Sequence, residues 1–526
     1  MTSANPPPPP QWRWAIAWAG LVVGLSALPY IVAGLTAPPG WQFSGLLINP
    51  FDANSYLAKM RQGWQGNWLF HLTYTPEPHP GSFIFTFYLF LGHLARWLGL
   101  PLIWVYHLAR SLGGFFLLIA AYDFVALWSE RQAERRLAFV LIAVGGGLGW
   151  LGAALGAFPI DLWVPEGFTF YSLYANPHFP LAVGLMLVIF KQTLAPGQTG
   201  WRWLGSGLAA LALAVVQPFA LLTVLAVLGI LAGLTWARDR GLVLHLLGAG
   251  LAGSPILLYD YTVSRANDAL AAWSAQNVTP APAVLDLILG YGLLVPLAAI
   301  GFWPALRRGS PPERLIAVWA GATVILVYIP FALQRRLIIG LHIPLCLLAA
   351  LAIYRHLAPR LSARALRRTI GGVVGVGLVG TLFIWLVPLI GARQSPAESG
   401  LTARLYLREE EVAALAWLRT HADAEAVILA PPRLGMFVPG LAGTRVFYGH
   451  PFETIEAEDK RAQVEAFFAG TLSPAEQEAL LRNNAVDYVV CRTPRCPNLN
   501  AAGNDLLYRA GAIRVLATGS GLEPEP

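Results

Sequence analysis

Apolar segments of membrane-spanning length recur along most of this 526-residue chain. A helix needs about 20 apolar residues to cross the hydrocarbon core of a bilayer, where its backbone polar groups must all be satisfied within the protein. Only 12% of the residues are charged and 56% are hydrophobic, whereas soluble proteins carry about 25% charged residues. The sequence therefore predicts a mainly α, polytopic bundle of transmembrane helices rather than a soluble globular protein.

About eleven spans are predicted from hydropathy and from the charged residues that separate the apolar runs. The first span follows a proline-rich tail, residues 1–13, and is too long for the apolar core of a signal peptide. The predicted spans lie near residues 14–35, 103–127, 137–156, 180–194, 203–217, 219–236, 241–259, 283–302, 313–330, 337–354 and 369–391. Together they define a predicted membrane domain over residues 14–395.

Basic residues are distributed unequally between the two sets of loops that these spans define. If the N-terminal tail is cytoplasmic, sixteen Lys and Arg residues fall in cytoplasmic segments. The outer loops between spans then hold six, which are Lys59, Arg61, Arg96, Arg265, Arg335 and Arg336. This bias follows the positive-inside rule, so we expect a multi-pass cell-membrane protein whose C-terminal part is extracytoplasmic. Because the basic residues are spread along loops and not clustered on one surface, no nucleic-acid partner is expected.

The first outer loop, residues 36–102, contains a further segment apolar enough to span, SFIFTFYLFLGHLARWLGL (82–100). Counting it as a span would reverse every later loop and remove the charge bias. An interfacial helix lying along the outer membrane surface satisfies both observations, and its many aromatic residues are typical of headgroup depth. We therefore expect an interfacial helix here.

The last part of the chain, residues 396–526, is expected to form a separate extracytoplasmic domain. REEEVAALAWLRTH has helical periodicity, AVILA, TRVFYG and DYVVCR are typical of short strands, and SPAEQEALLRNN begins with Ser473 at an N-cap and Glu476 in the capping-box position. Alternating helices and strands predict a small α/β domain. Cys491 and Cys496 would meet an oxidising environment there, which allows a disulfide between them.

Uncommon polar residues collect in the predicted outer loops, while few charges lie inside the predicted spans. A charge at mid-bilayer costs roughly 2.5–3.5 kcal/mol, and the shortage of such charges argues against a proton-coupled transporter. The candidate site residues are Asp52, Glu77 and His79 in the first loop, Asp161, Glu166, Asn176 and His178 in the second, Tyr259 at one span end, and Arg335 with Arg336 at another. We expect a polar outer cavity suited to chemistry on a membrane-bound substrate.

The order of these features resembles that of the GT-C superfamily of membrane glycosyltransferases, which includes protein O-mannosyltransferases and lipid A aminoarabinose transferases. The matching features are Asp52 early in the first loop, the His79-Pro80 element, the surface helix over 82–100, and Arg110 one to two turns into the next span. The soluble domain after the last span also resembles the layout of that superfamily. The sequence departs from the pattern at Asn54, where many relatives carry a second acid, and this departure puts metal dependence in doubt.

The resemblance implies that Asp52 binds the acceptor or a metal ion, or acts as a general base. A base in this place would remove the proton of the acceptor hydroxyl as its oxygen attacks the anomeric carbon of the donor. The structural alternative is that Asp52 caps the helix ANSYLAKM, since Asp is a preferred N-cap residue.

Arg335 and Arg336 are interpreted as ligands of the donor phosphate, because guanidinium groups suit phosphate through bidentate contacts. The alternative is that they are anchors whose side chains snorkel at the end of a span. Two adjacent arginines on the side that should be poor in basic residues favour the functional interpretation.

The remaining candidates are interpreted as substrate-binding or metal-binding residues. Substrate contacts are expected from Glu77, His79, Arg110, Asn176, His178 and Tyr259, and a Mg or Mn site of hard oxygen ligands would draw on Asp52, Asp161 and Glu166. The alternatives are solvated loop residues for the first group and an ion pair with a loop acid for Arg110.

The sequence thus favours a membrane glycosyltransferase that moves a sugar from a polyprenyl-phosphate donor to an extracytoplasmic acceptor, which is a protein, a lipid or a glycan. The sequence shows no Gly-rich phosphate-binding loop in a soluble cytoplasmic domain, and this disfavours a nucleotide-sugar donor. One alternative is a transporter or flippase of lipid-linked sugars, which inverted repeats and buried charges would favour. The other is a non-catalytic membrane scaffold with an outer binding domain.

Overall fold

The computed structural model describes residues 10–194, 201–235, 240–394, 400, 402–494, 496 and 505–518. Most of the proline-rich tail and the predicted domain boundary after residue 395 lie outside these residues. The chain forms two compact units. Unit 1 comprises Met1–Pro29, His107–Tyr259 and Thr279–Val387, and unit 2 comprises Tyr30–Tyr106, Asp260–Val278 and Pro388–Pro526.

Helices dominate the part of the chain before residue 394, as the hydropathy predicts. Their bounds are α1 (Trp12–Leu35), α2 (Pro50–Gln65), α3 (Thr86–Leu98), α4 (Leu102–Trp128), α5 (Gln132–Val144), α6 (Gly149–Ala154), α7 (Thr169–Tyr174), α8 (His178–Leu194), α9 (Arg202–Val216), α10 (Pro218–Thr235), α11 (Arg240–Ala266), α12 (Asp268–Gln276), α13 (Val284–Tyr291), α14 (Leu294–Arg308), α15 (Pro311–Val327), α16 (His342–Leu351) and α17 (Ala363–Ala392). Short 3-10 turns at Ile160–Leu162, Pro165–Gly167 and Gln334–Ile338 lie between them.

Every predicted span contains helical residues, but the spans near 137–156 and 283–302 are each divided between two helices. Not every helix is long enough to cross a bilayer. Among the described residues, seven helices are long and apolar enough, or eight if α13 and α14, which meet at a 93° bend, count as one span. The predicted spans near 180–194, 203–217 and 313–330 correspond to α8, α9 and α15, which have 17, 15 and 17 residues. The multi-pass helical architecture is confirmed, and about eleven spans stays a prediction.

Glycine allows close backbone packing where α5 and α6 are interrupted in unit 1. The amide of Gly146 donates to the carbonyl of Gly377 on α17 at 2.9 Å. A Cβ atom at Gly146 would lie 2.8 Å from the amide nitrogen of Thr381, closer than atoms of packed groups approach, so a larger residue would push α17 away. The Thr381 hydroxyl completes this contact by donating to the carbonyl of Val144 at 2.9 Å.

The predicted interfacial segment forms α3, and α3 packs on α2 within unit 2. The two helices approach so closely that a Cβ atom at Gly63 would lie 2.0 Å from the carbonyl oxygen of Leu89, and one at Gly92 would lie 1.9 Å from that of Met60. The opposite face of α3 leaves large apolar side chains such as Trp97 exposed. The amphipathic pattern of the sequence thus serves both a protein contact and an exposed apolar face.

The C-terminal part of unit 2 contains the predicted mixture of helices and strands. Its helices are α18 (Glu409–His421), α19 (Pro432–Gly435), α20 (Val438–Leu441), α21 (Ala457–Ala469) and α22 (Pro474–Asn483). The strands of unit 2 are β1 (Trp41–Phe43), β2 (Tyr406–Arg408), β3 (Val427–Leu429), β4 (Arg445–Val446), β5 (Val486–Arg492), β6 (Leu506–Ala510) and β7 (Ile513–Ala517). The predicted capping box at Ser473 and Glu476 is confirmed at the start of α22.

Five of these strands form one mixed sheet in the order β4-β3-β5-β7-β6. Strand β3 runs parallel to β4 and β5, while β7 pairs antiparallel with β5 and β6. A disulfide joins Cys491, in β5, to Cys496. This arrangement confirms the expected α/β character of the C-terminal region, and it joins two cysteines whose pairing the sequence left open.

The first loop and the C-terminal region share one unit through backbone pairing and a common core. Strand β1, in the first loop, pairs antiparallel with β2, with Trp41 opposite Arg408. The apolar core of the C-terminal region also includes Ala58 of α2 and Tyr74 of the first loop. Residues separated by more than 300 positions therefore fold as one body.

Candidate functional site

Asp52 lies in the first turn of α2, where its half-buried carboxylate is held in place by a neighbouring side chain. Asn49 precedes the helix in a left-handed conformation (φ 46°), and Pro50 occupies the first turn. The Asn49 amide nitrogen donates to Asp52 Oδ2 at 2.5 Å. Asp52 is therefore not the N-cap residue, so the structural alternative from the sequence is wrong, although a carboxylate in a first turn still stabilises the helix dipole.

One face of α2 beyond Asp52 carries a buried charge that pairs with the C-terminal region. Lys59 is 1% exposed, and its Nζ donates to Ser55 Oγ at 2.5 Å and to Glu453 Oε1 at 2.7 Å. Ser55 also donates to the same Glu453 oxygen at 2.5 Å. The ammonium lies 4.6 Å from the ring centroid of Phe85, which adds a cation–π contact. Burying this ion pair is tolerable because its charged atoms are hydrogen-bonded.

His450 packs beside the start of α2, three residues before Glu453. Its ring lies 5.6 Å from that of Phe51 and 5.3 Å from that of Tyr74. Nδ1 accepts hydrogen bonds from the backbone amides of Phe452 and Glu453, at 3.1 and 3.0 Å. The proton of the neutral ring is therefore assigned to Nε2.

Burial shapes the pKa values of both C-terminal residues near α2. Burial lowers the pKa of His450, while the negative charges of Glu453 and Asp52 oppose that effect. Burial alone would raise the pKa of Glu453, but the charge of Lys59 and the hydrogen bonds from Lys59 and Ser55 bring it below its usual value. The arrangement thus places a neutral imidazole and a paired carboxylate behind Asp52.

Glu77 and His79 order the first loop through contacts with other residues of unit 2. The Glu77 carboxylate pairs with Lys460 and accepts a hydrogen bond from Thr75. These hydrogen bonds outweigh the effect of burial and lower the pKa of Glu77. His79 Nε2 accepts from the amide of Leu72 at 2.8 Å, Nδ1 lies 2.8 Å from the carbonyl oxygen of Glu77, and burial lowers its pKa.

Two acids of the second predicted outer loop are buried in unit 1. Asp161 is 0% exposed, and its Oδ2 accepts from the amide of Gly149 at 2.8 Å, at the start of α6. Burial raises the pKa of Asp161 to about 7, although backbone amides work against it. Glu166 is also buried, and its carbonyl accepts from the amide of Gly340 at 3.2 Å. Both residues therefore tie the loop to the surrounding helices.

Three further candidates, Arg110 in α4 and Asn176 and His178 near the junction of α7 and α8, are all buried in unit 1. Arg110 Nη1 donates to the carbonyls of Leu173 and Tyr174, at 2.8 and 3.2 Å, where α7 ends. Asn176 and His178 are 1% and 4% exposed and lie where α8 begins. The guanidinium of Arg110 therefore satisfies carbonyls that the short helix leaves without partners.

Arg335 and Arg336 lie in the 3-10 turn before α16, and both are half-buried. Their guanidinium groups rest on aromatic rings, Arg335 at 4.7 Å from the centroid of Trp163 and Arg336 at 5.7 Å from that of Phe219. Within the described residues, no hydrogen-bond acceptor reaches the buried Nε of Arg336. Tyr259, on the membrane-length helix α11, is 40% exposed.

The structure brings some of the predicted residues into one unit and adds others that the sequence did not single out. Asp52, Glu77 and His79 belong to unit 2, while the other candidates belong to unit 1. Glu453 and His450 were missed because nothing in HPFE indicates a partner on α2. The only local signal for this cluster is the i, i+4 spacing of Ser55 and Lys59, which places both residues on one face of α2.

Among the residues that the structure describes, none form a three-ligand metal site with Asp52. Asn54 stands where a second acid was looked for, and its amide donates to the carbonyl of Pro50 at 2.8 Å. In the ranges that the structure describes, no group of three or more His, Cys, Asp and Glu side chains is placed to hold a metal ion. A site for Mg or Mn would need hard oxygen ligands in larger number.

Several solved membrane glycosyltransferases have a similar fold. ArnT from Cupriavidus metallidurans bound to undecaprenyl phosphate matches with a TM-score of 0.53 and 16% identity, over 97% of this chain and 99% of that chain. The archaeal oligosaccharyltransferase AglB from Archaeoglobus fulgidus, in complex with an inhibitory peptide and a dolichol-phosphate, matches with a TM-score of 0.50 and 13% identity, over 92% and 70%.

A third similar structure is the arabinofuranosyltransferase AftD from Mycobacteria, with a TM-score of 0.54 and 16% identity. That match covers 96% of this chain and 40% of the longer AftD chain. No model of a known protein family matches the chain, and no curated protein does. All three solved structures are GT-C glycosyltransferases. Because their sequence identities to this chain are only 13–16%, the likeness concerns the fold.

Proposed function

We propose that this chain, which has the fold of the GT-C superfamily, is an integral membrane glycosyltransferase. It takes a sugar from a polyprenyl-phosphate donor and transfers it to an extracytoplasmic acceptor. The donor class is supported by two proteins of the same fold, ArnT and AglB, whose structures contain undecaprenyl phosphate and dolichol-phosphate. The observation that carries the proposal is the half-buried Asp52 carboxylate on a helix that a buried ion pair holds in place.

Asp52 is the proposed catalytic base. Its carboxylate accepts the proton of the acceptor hydroxyl while the hydroxyl oxygen forms a bond to the anomeric carbon of the donor. The bond between that carbon and the phosphate oxygen breaks, and its electron pair leaves on the polyprenyl phosphate. Attack from the side opposite the leaving group inverts the anomeric configuration. Asp52 is therefore assigned the role of base in this proposal.

The contacts of Asp52 support this role. Asn49 holds one carboxylate oxygen and so limits its rotation, and a fixed orientation is what proton transfer in a transition state requires. The neighbouring His450 is buried with a lowered pKa, so a neutral imidazole lies beside the start of α2. The Lys59–Glu453 pair fixes α2 two turns further along.

Arg335 and Arg336 are proposed to bind the donor phosphate. The buried Nε of Arg336 has no acceptor within the described part of the chain, and a phosphate oxygen would satisfy it. We expect Arg336→Gln to raise the KM for the donor roughly tenfold, while kcat changes less.

Transfer of a labelled sugar from its polyprenyl phosphate to membrane acceptors tests the proposal. Asp52→Asn should lower kcat/KM by about 10²–10⁴-fold, the usual contribution of a general base. Asp268→Asn is the matched control, because Asp268 is an exposed acid in the first turn of another helix of unit 2. Equal activity of wild type and Asp52→Asn would remove Asp52 from the reaction.

The same preparation separates the alternative functions. A flippase would move the donor across the bilayer of a vesicle without forming product, and this movement would persist in Asp52→Asn. A scaffold would do neither. Melting curves of the purified variants show whether a loss of transfer reflects unfolding.

A further inference from the structure

A cleft of about 490 Å³ opens in unit 1 between helices α1, α5 and α17, with Tyr354 at one side. Small-molecule sites in proteins have volumes of about 300–1,000 Å³. None of the residues that contain the proposed catalytic or phosphate-binding groups lines it. The cleft is therefore a second place where this chain can hold a ligand, independent of the proposed reaction.

The polar and apolar lining residues of the cleft are separated along the helices. On α5, Gln132 and Arg136 lie in the first turns, and Val140 follows about 12 Å from Gln132 at 1.5 Å per residue. On α17, Ile370 and Val374 line the cleft two to three turns after the helix begins. A ligand that fits this gradient has a polar end beside Arg136 and an apolar body.

The polar end carries a positive charge that is already oriented. Arg136 lies 5.6 Å from the ring centroid of Trp14, and its Nε and Nη2 donate to Gln11 Oε1 at 3.1 and 2.7 Å. Trp14 is held in turn by the ring of Phe139 at 5.5 Å. None of the described lining residues is an acid, so the cleft favours an anionic group.

The position of the cleft indicates a lipid. Helices α1 and α17 are long and apolar enough to cross a membrane, as is the segment Gln132–Ala154 that includes α5. The cleft lies near the first turns of these helices, the end that the charge bias of the sequence assigns to the cytoplasm. Arg364, Arg367 and Arg368 are exposed on the same end of α17. Basic pockets between transmembrane helices at this depth suit the headgroups of anionic lipids.

We propose that this cleft binds one anionic diacyl glycerophospholipid. Its phosphate contacts the guanidinium of Arg136, while Gln132 and Tyr354 are placed to bond the headgroup. The acyl chains extend along Val140, Ile370 and Val374.

Native mass spectrometry of the full chain, with added phosphatidylglycerol or phosphatidylcholine of identical acyl chains, tests this site. Wild type should retain one phosphatidylglycerol about five- to tenfold more tightly than phosphatidylcholine. Arg136→Gln should abolish that preference. Val374→Phe, which fills the apolar part, should weaken both lipids and serves as the second variant if Arg136→Gln unfolds.

Arg307→Gln is the matched control, because the Arg307 guanidinium also lies on a tryptophan, 4.3 Å from the ring centroid of Trp303, but lines no part of the cleft. It should keep the preference for phosphatidylglycerol. The proposal is overturned if Arg136→Gln binds like wild type, or if Arg307→Gln loses as much. Glycerol phosphate that binds as tightly as the lipid would show a soluble-anion site, and a polyprenyl phosphate that displaces phosphatidylglycerol at equal concentration would show a donor site.

Discussion

In unit 2 the buried ammonium of Lys59 is paired with the carboxylate of Glu453, whereas in unit 1 the buried guanidinium of Arg110 is bonded to backbone carbonyls. Both cations are 1% exposed, so each must have its charge and its donors satisfied inside the protein. The buried acids of the two units also differ in whether their partners are side chains or backbone groups. Glu453 meets Lys59 and Ser55, while Asp161 in unit 1 accepts from the backbone amide of Gly149.

This difference teaches how each unit responds to substitution. Both side chains of an ion pair such as Lys59–Glu453 can be replaced together, which leaves no unpaired charge in the protein. A backbone carbonyl cannot be removed by substitution. A second substitution therefore cannot compensate for the loss of Arg110 by removing its hydrogen-bond partners. A double-mutant cycle can therefore isolate the Lys59–Glu453 pair, whereas no such cycle is available for the contacts of Arg110 with the backbone.

Lys59→Met should have the largest effect, because it leaves the Glu453 carboxylate buried without its counter-ion. Breaking a buried pair in this way costs about 3–5 kcal/mol. Denaturant unfolding of the purified chain, combined with hydrogen exchange in α2 and residues 450–455, measures the loss. Lys59→Met combined with Glu453→Gln should recover most of it, so strict additivity of the two single changes would contradict the ion pair.

An exposed ion pair of unit 2 provides the control for this cycle. Arg461 and Glu465 are more than half exposed and lie four residues apart on α21. Arg461→Met should change the free energy of unfolding by less than about 0.5 kcal/mol, because solvent screens such pairs. A loss comparable to that of Lys59→Met would mean that burial is not the cause of the difference.

Arg110→Met should have an intermediate effect. It leaves the carbonyls of Leu173 and Tyr174 without donors, and an unsatisfied buried polar group costs about 1–3 kcal/mol. Hydrogen exchange should increase in α7 and not in α2. Arg110→Lys should recover only part of the loss, because a single ammonium does not reproduce the planar set of guanidinium donors. Exchange that rises equally in both units would break the comparison.

The smallest effect is a pH response of opposite sign in the two units. The pKa values of His450 and Glu453 are lowered in the folded state, so unit 2 is stabilised above the unfolded values of 6.5 and 4.5 and loses this contribution as the pH falls below them. The pKa of Asp161 is raised from 3.8 to about 7. Its contribution is therefore present below pH 3.8 and is lost as the pH rises through about 7.

Hydrogen exchange at pH 5 and pH 8, corrected for intrinsic exchange rates, checks this response. Residues 448–455 should open more readily at pH 5, and residues 158–164 at pH 8. Asp161→Asn should remove the response of the second segment and leave that of the first. The same direction of change in both segments would contradict the assignment of these groups.

Much of the fold followed from local patterns in the sequence. All eleven apolar runs contain helical residues, two of them divided between two helices, and the helix over residues 409–421 and the strands around Val427 and Val489 lie where periodicity placed them. The capping box at Ser473 was readable because its two partners are three residues apart. The span count was less certain because apolar composition does not fix whether a helix such as α8 or α15 has the length to cross a bilayer.

The candidate site was only partly predictable. Asp52 was predicted as a site residue from its position early in the first loop and stays a prediction, while its bond to Asn49 depends on the left-handed backbone at Asn49. Glu453 could not have been paired with Lys59, because the two are 394 residues apart and no local pattern connects them. For Arg110, the sequence offered a loop acid as partner, whereas the fold supplied the end of α7.

The sequence by itself determined which segments are apolar helices, how basic residues are distributed along the chain, and which C-terminal segments form helices and strands, since hydropathy, charge and periodicity act over a few residues. The tertiary structure alone decided which distant groups meet. It joined the first loop to the C-terminal region, and it brought α3 against α2 where Gly63 and Gly92 lack side chains. The physical reason is that burial, close packing and ion pairing depend on the whole chain, so a buried charge finds its partner only when the chain has folded.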